Sequence, residues 1–212
     1  GKTALFFHAK DDVPEVRHAV FTLLRLHELR FSAVVKDKQA LLAEFEQRRT
    51  QDTTVRYKAD GHELYDQLIA RLFERFGAFG AEREVTFAVR GNKARTATLK
   101  GVLDEIDSGF VSAFGFSPHG QTAVHSTFPH KSVGLQACDY LLWALQRFYE
   151  RGEARYLGAL WPQFTRVLDS DVPLVAPKKR GAQTQTVEFN EKHPLTLANR
   201  AGVGDRGSED IG

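Results

Sequence analysis

An α/β fold, built as one domain with appendages, is predicted for this chain on two observations. Segments whose apolar residues recur at three-four spacing alternate throughout with β-branched and aromatic runs of strand length. At 212 residues the chain can bury a substantial core, and its length favours one domain with appendages over two.

Thr3-Ala-Leu-Phe-Phe7 reads as the first strand, ending near His8. Asp11-Asp12-Val-Pro14-Glu15 supplies a capping acid, a first-turn proline and an early carboxylate, all favourable at a helix start. Val16, Val20, Leu23, Leu24 and His27 then make one face of a helix ending near Glu28. Phe31-Ser-Ala-Val-Val35 is a strand that runs directly into Lys36-Asp37-Lys38, and strand ends are where α/β sites gather. Residues 39–49 read as a strongly charged helix and Thr50-Gln-Asp-Thr-Thr54 as a polar loop. A longer helix covers 61–77, with Tyr65, Leu68, Ile69, Leu72 and Phe76 inward and Gly77 near its stop.

Glu84-Val-Thr-Phe-Ala-Val89 alternates as a strand and ends at Arg90-Gly-Asn-Lys93, a turn carrying two cations. Leu99, Val102, Leu103 and Ile106 mark the next helix, and the glycine- and aromatic-rich stretch 110–127 holds a strand around Thr122–Ser126. Helices over 133–151 and 153–160 follow, the second stopping near Trp161-Pro162. Beyond Asp169 the composition shifts to Pro173, Pro177, Lys178-Lys-Arg180 and a Gln-Thr repeat. There only Thr186-Val-Glu-Phe189 reads as a strand, and 199–212 reads as disordered.

The helix over 133–151 carries the most informative pattern. Leu135, Cys138, Leu142, Leu145 and Tyr149 recur at helical spacing, and Asp139 falls within the edge of that stripe. A buried carboxylate must be paired, protonated or bound to a cation. The readings that stand are a structural ion pair or a rim position still reached by water, and against these a metal-binding acid on a late helix of a nuclease-like fold.

Charge is nearly balanced, with 29 basic and 27 acidic residues and a net charge of +2, which permits nucleic-acid binding without demanding it. The apolar stretches are too short to span a bilayer and no signal segment opens the chain, so a soluble, cytoplasmic protein is expected. The single cysteine, Cys138, excludes an internal disulfide and reads as a small core hydrophobe rather than a nucleophile. Phosphate-binding glycine loops and the Gly-x-Ser-x-Gly elbow of serine hydrolases are both absent. The chain begins at Gly1 and contains no methionine, so its true start is expected upstream.

His125-Ser-Thr-Phe-Pro-His130-Lys-Ser132, then Leu135-Gln136-Ala-Cys-Asp139-Tyr140 and Trp143-Ala-Leu-Gln-Arg147-Phe-Tyr149-Glu150-Arg-Gly152, is similar to the closing motif of the domain-of-unknown-function 3800 family. Phe7-His8-Ala9, Val16-Arg17 with Val20-Phe21, and the strand ending in Asp37-Lys38 resemble its earlier segments. The resemblance spans roughly residues 3–160, and its last motif is the specific part. It implies a ribonuclease H-like mixed sheet flanked by helices, with the first strands missing, over residues 1–168, and a partly disordered C-terminal extension over 169–212. Family members open with an Asp-Glu-Ser-Gly-like strand that does not occur in these 212 residues. Genes of this family often lie near mobile elements and defence systems. The activity implied is therefore that of a Mg- or Mn-dependent nuclease cutting phosphodiester bonds. Its partners would be nucleic acid and either a second copy or a defence-system protein. The rival expectation is a non-catalytic nucleic-acid- or protein-binding module with the same fold; a third is self-association through the aromatics around Phe110–Phe116.

A two-metal nuclease needs several carboxylates converging on two cations. In a ribonuclease H-like layout Asp139 would be the first ligand, Asp37 at its strand end the second, and Glu15 at a helix start a third catalytic acid. Asp37 also reads as a solvated turn acid, and Glu15 as a partner of the helix dipole. Lys38 and Arg90 suit phosphate contacts or plain surface roles. Gln136 would orient the acid or a water, and Ser132 would contact substrate or cap the helix. His125 and His130, inside the family-like segment, are candidate bases or substrate contacts. With His119 they could also form a transition-metal site, although their spacing matches no dense zinc signature.

Overall fold

The computed structural model describes residues 6–51, 62–76, 80–89, 95–117, 119–173 and 186–200. In chain order these form α1 (Pro14–Arg25), β1 (Phe31–Val35), α2 (Lys38–Gln51), α3 (His62–Phe76), β2 (Gly80–Ala88), α4 (Thr96–Phe114), β3 (His119–Thr127), α5 (Val133–Arg151), α6 (Ala154–Leu160), β4 (Phe164–Pro173) and β5 (Thr186–Phe189). The architecture is mixed α/β, with strands flanked by helices. None of the described helices is long and apolar enough to cross a membrane.

Two compact units share the chain: 1–7 with 56–137, and 8–55 with 138–212. In the first, β2 and β3 pair in parallel, from Gly80↔His119 to Ala88↔Thr127. Parallel pairing requires a long crossover, which α4 supplies. Ile69, Phe87, Leu99 and Leu103 form the core of this unit, with Tyr65, Phe73, Val85, Val102, Ile106 and Val124 packed against them. Apolar stripes of α3 and α4 thus cover one face of the strand pair. Arg83 Nη2 meets Asp107 at 2.8 Å, and Arg95 grips both oxygens of Asp66 at 3.0 and 2.7 Å.

The second unit is built on a three-stranded sheet of order β1-β4-β5. β1 runs parallel to β4 and β5 antiparallel to it, so this sheet is mixed. Buried residues come from α1 (Phe21, Leu24), α5 (Tyr140, Leu141, Ala144, Leu145, Phe148), α6 (Leu157, Leu160) and the strands (Phe31, Ala33, Phe164, Val167, Leu168, Phe189). The α5 helix ends at Gly152, whose φ of 68° is the left-handed conformation that glycine adopts without strain.

Several sequence expectations are corrected. Phe6–His8 are not strand, and the remainder of the expected Thr3–Phe7 strand lies outside the described residues. The α1 helix stops at Arg25, and its buried residues are Phe21 and Leu24, while Leu23 is exposed. The α2 helix runs through Thr50 into Gln51, and α4 continues to Phe114, where Gly115 closes it at a φ of 78°. The boundary drawn at 168/169 falls inside β4, and Asp169 is completely buried. The face of α5 is also turned: Leu142 is exposed and Cys138 lies at the surface, while Tyr140, Leu141, Ala144, Leu145 and Phe148 are inside. Apolar residues on adjacent faces leave the phase of a helix open, and the face with the two large rings is the one buried.

Candidate functional site

The turn between Phe7 and α1 brings the one specific motif its neighbours. The amides of Asp11 and Asp12 both return to the His8 carbonyl at 3.0 Å, which folds residues 8–12 tightly. Asp139 Oδ2 accepts the Ala9 N–H at 2.8 Å, and His8 Nδ1 lies 3.8 Å from the same oxygen and 3.7 Å from Asp11 Oδ2. Asp12 Oδ2 accepts the His8 N–H at 2.9 Å and the Tyr140 hydroxyl. Arg17 donates to the carbonyls of Ala9 and Asp12, with its guanidinium 5.0 Å over the Trp143 ring. Tyr140 is completely buried, and its phenol pKa is pushed up, by burial first and then by the hydrogen bond to Asp12.

Asp139 therefore stands at the rim, still reached by water, rather than as a fully buried acid: its side chain is 37% exposed, and that of His8 41%. Water reaches the carboxylate, while the Ala9 amide fixes its direction. Although Cys138 is exposed as a residue, protein atoms packed around its sulfur, and then the Asp139 carboxylate, raise its thiol pKa, the opposite of activation as a nucleophile.

A second polar cluster in the same unit closes the ends of the parallel strands β1 and β4. Register places Val35 opposite Asp169, so the residues just beyond them meet. Lys36 Nζ lies 2.7 Å from Asp171 Oδ1, with the two side chains only 6% and 14% exposed. The Asp37 N–H donates to Asp171 Oδ2, and the Asp171 N–H donates to Asp169 Oδ1 at 3.0 Å. Tyr149 donates its hydroxyl to Asp169 Oδ2 at 2.7 Å. Asp37 Oδ1 accepts the amides of Gln39 and Ala40, both at 2.8 Å, which makes it the cap of α2.

Among the described residues, no three His, Cys, Asp or Glu side chains are gathered as a metal ion would require. Asp139, Asp37 and Glu15 thus do not assemble as the ligand set expected; Asp37 caps a helix, and Glu15 is an exposed first-turn acid of α1. Lys38 is the exposed first residue of α2, and Arg90 lies outside the described residues. Ser132 Oγ accepts the Leu135 N–H at 3.3 Å, a helix cap. Gln136 Oε1 accepts the Phe7 N–H at 3.0 Å, so this amide holds the chain ahead of His8 instead of orienting the acid. His125 is exposed on β3, with Nε2 3.4 Å from Glu84 Oε1. His130 is exposed between two phenylalanine rings, and nothing is described of the His119 side chain.

Sequence reasoning treated Asp12 only as a cap and passed over Asp169 and Asp171. Their one signal was the spacing Asp169-Ser-Asp171, which sets two acids on one side of a strand. Compared with protein-family models, curated proteins and solved structures, the chain matches none of them.

Proposed function

We propose that this chain acts on phosphodiester bonds of nucleic acid, as a ribonuclease H-like member of the family its closing motif resembles, with Asp139 as the acid at the reaction site. The observation behind this reading is the setting of Asp139. The acid of the one specific motif is reached by water, is held by the Ala9 amide and has the His8 imidazole beside it. Oδ1 of that carboxylate is the oxygen left to accept a hydrogen bond from a water or a substrate hydroxyl. His8 is the neighbour able to exchange a proton with it.

The resemblance implies Mg or Mn, but the described residues do not fit a two-metal centre, since no second and third ligand stand around Asp139. No step of the reaction is drawn through an ion. The reading places the protein in the cytoplasm with nucleic acid as its partner, alongside a second copy or a defence-system protein.

Asp139→Asn keeps the size of the side chain and an oxygen for the Ala9 amide while removing its charge. Cleavage of DNA or RNA should fall by about 100-fold or more, with the unfolding transition retained. Unchanged cleavage would remove Asp139 from the reaction. Calorimetric titration of Mn²⁺ into both proteins tests the implied ion directly: binding lost on substitution places it at Asp139. A wild type that binds nucleic acid without cutting it would make the non-catalytic binding module the function.

A further inference from the structure

From Ser108 to Cys138 the chain contains no acidic residue, in a protein where 27 of 212 residues are acidic. At that average the window would hold about four. Within it, the segment that leaves the C-terminal end of β3 carries Phe128, His130 and Lys131, all exposed. Phe128 stacks on His130 with centroids 5.6 Å apart and planes at 20°, and Phe6 also meets His130 at 5.6 Å, with planes tilted by 41°. Lys131 Nζ stands 6.0 Å from the Phe128 centroid. Phe6 and Phe128 remain 40% and 43% exposed, with Phe7 at 52%. The chain is fixed here by polar bonds rather than by burying these rings: Gln136 ties the Phe7 amide and the Pro129 carbonyl at 3.0 and 3.4 Å.

Three neighbouring rings, two of them stacked, beside a cation, with no carboxylate in the surrounding sequence, suit a partner that offers flat faces and negative charge together. Unpaired nucleobases and their phosphates are such a partner. A duplex is a poor match, because its bases are already stacked on one another. An acidic peptide would use the cation and leave the rings idle.

We propose that Phe6, His130 and Phe128, with Lys131, form a stacking platform for single-stranded nucleic acid at the C-terminal end of the β2–β3 pair. The inference rests on the nucleic-acid reading above and narrows its substrate to an unpaired strand. The rings take the bases, and Lys131 takes a backbone phosphate.

The test is fluorescence anisotropy of the full chain, in EDTA so that nothing is cut, with labelled oligothymidylate, oligouridylate and a duplex, each of about 16 nucleotides per strand. Both single strands should bind more tightly than the duplex, and the ratio between them tells whether DNA or RNA is preferred. Phe128→Ala and Phe6→Ala should each weaken single-strand binding by about 5-fold or more, and Phe128→Trp should retain it. Lys131→Ala should weaken binding and lessen its salt dependence. Wild-type binding to the duplex as tight as to the single strands, no binding to single strands, or Phe6→Ala and Phe128→Ala proteins that bind like the wild type would each overturn the platform. Loss of binding in Phe128→Trp as well would do the same, since a larger ring should stack at least as well. Cleavage unaffected by Asp139→Asn, alongside binding lost in Phe128→Ala, would sink the assigned acid and leave the platform standing.

Discussion

Two pairs of parallel strands in this molecule end in opposite ways. Where the pairing of β1 with β4 ends, the side chains are of both signs and face one another: Lys36 meets Asp171, the Asp37 amide joins them, and Asp169 is completely buried under the Tyr149 hydroxyl. Beyond β3 the side chains are rings and a cation with no acid among them, and they stay at the surface. Where register pairs opposite charges, they neutralise each other and can be withdrawn from water. Where one sign stands with aromatic faces at the surface, water solvates the cation and leaves it open to a charge from outside the chain.

The strongest way to break this contrast is Lys36→Ala, which leaves Asp171 without its cation in a nearly closed site. Removing one partner of such a pair should cost about 3 kcal/mol, read from urea unfolding; a loss below about 1 kcal/mol would mean that water already reaches the cluster. Tyr149→Phe should cost less, about 1–2 kcal/mol, by leaving a buried Asp169 oxygen short of a donor. It also carries a pH signature. Burial, and then the Asp169 carboxylate, raise the Tyr149 phenol pKa above its ordinary value. The folded state therefore holds a proton that the unfolded chain gives up. This contribution is complete below about pH 10, the unfolded value, and is lost as pH rises towards the raised folded one. Unfolding curves on either side of pH 10 should fall steeply for the wild type and less steeply for the Tyr149→Phe variant. Equal alkaline slopes would show that Tyr149 does not carry the effect. The smallest change belongs to the open end: Phe128→Ala should shift stability by about 0.5 kcal/mol or less, because the ring is already in water. A loss of several kcal/mol there would turn the exposed rings into a core.

Much of the element order was legible. Most of the helices and strands lie where periodicity placed them, because a five-residue run such as Phe31–Val35, with one ring and two valines, or the long stripe of α3, has one good way to hide its apolar side chains. Phase was harder to read. The α5 sequence carries apolar residues on adjoining faces, and spacing alone chose the one with Leu142 and Cys138, which the fold leaves exposed. Asp139, read at the edge of that stripe, lies at a rim that water reaches.

The site was legible in its centre and not in its surroundings. Asp139 could be singled out from the Leu135-Gln136-Ala-Cys-Asp139-Tyr140 motif. Its contacts with Ala9 and His8 join residues separated by 130 positions in the chain, and no local pattern encodes such a meeting. Asp37, which its strand-end position left open between a ligand and a solvated turn acid, caps α2.

By itself, then, the sequence determined the alternation of helices and strands, the acid-free window before Asp139 and the residues of its closing motif. These are local properties, written in neighbours a few positions apart. Only the tertiary structure decided which face of α5 is buried, which acids are neutralised at the β1–β4 end, and which rings stand open beyond β3. Those outcomes depend on which strands pair and in what register, and pairing is a property of the whole chain.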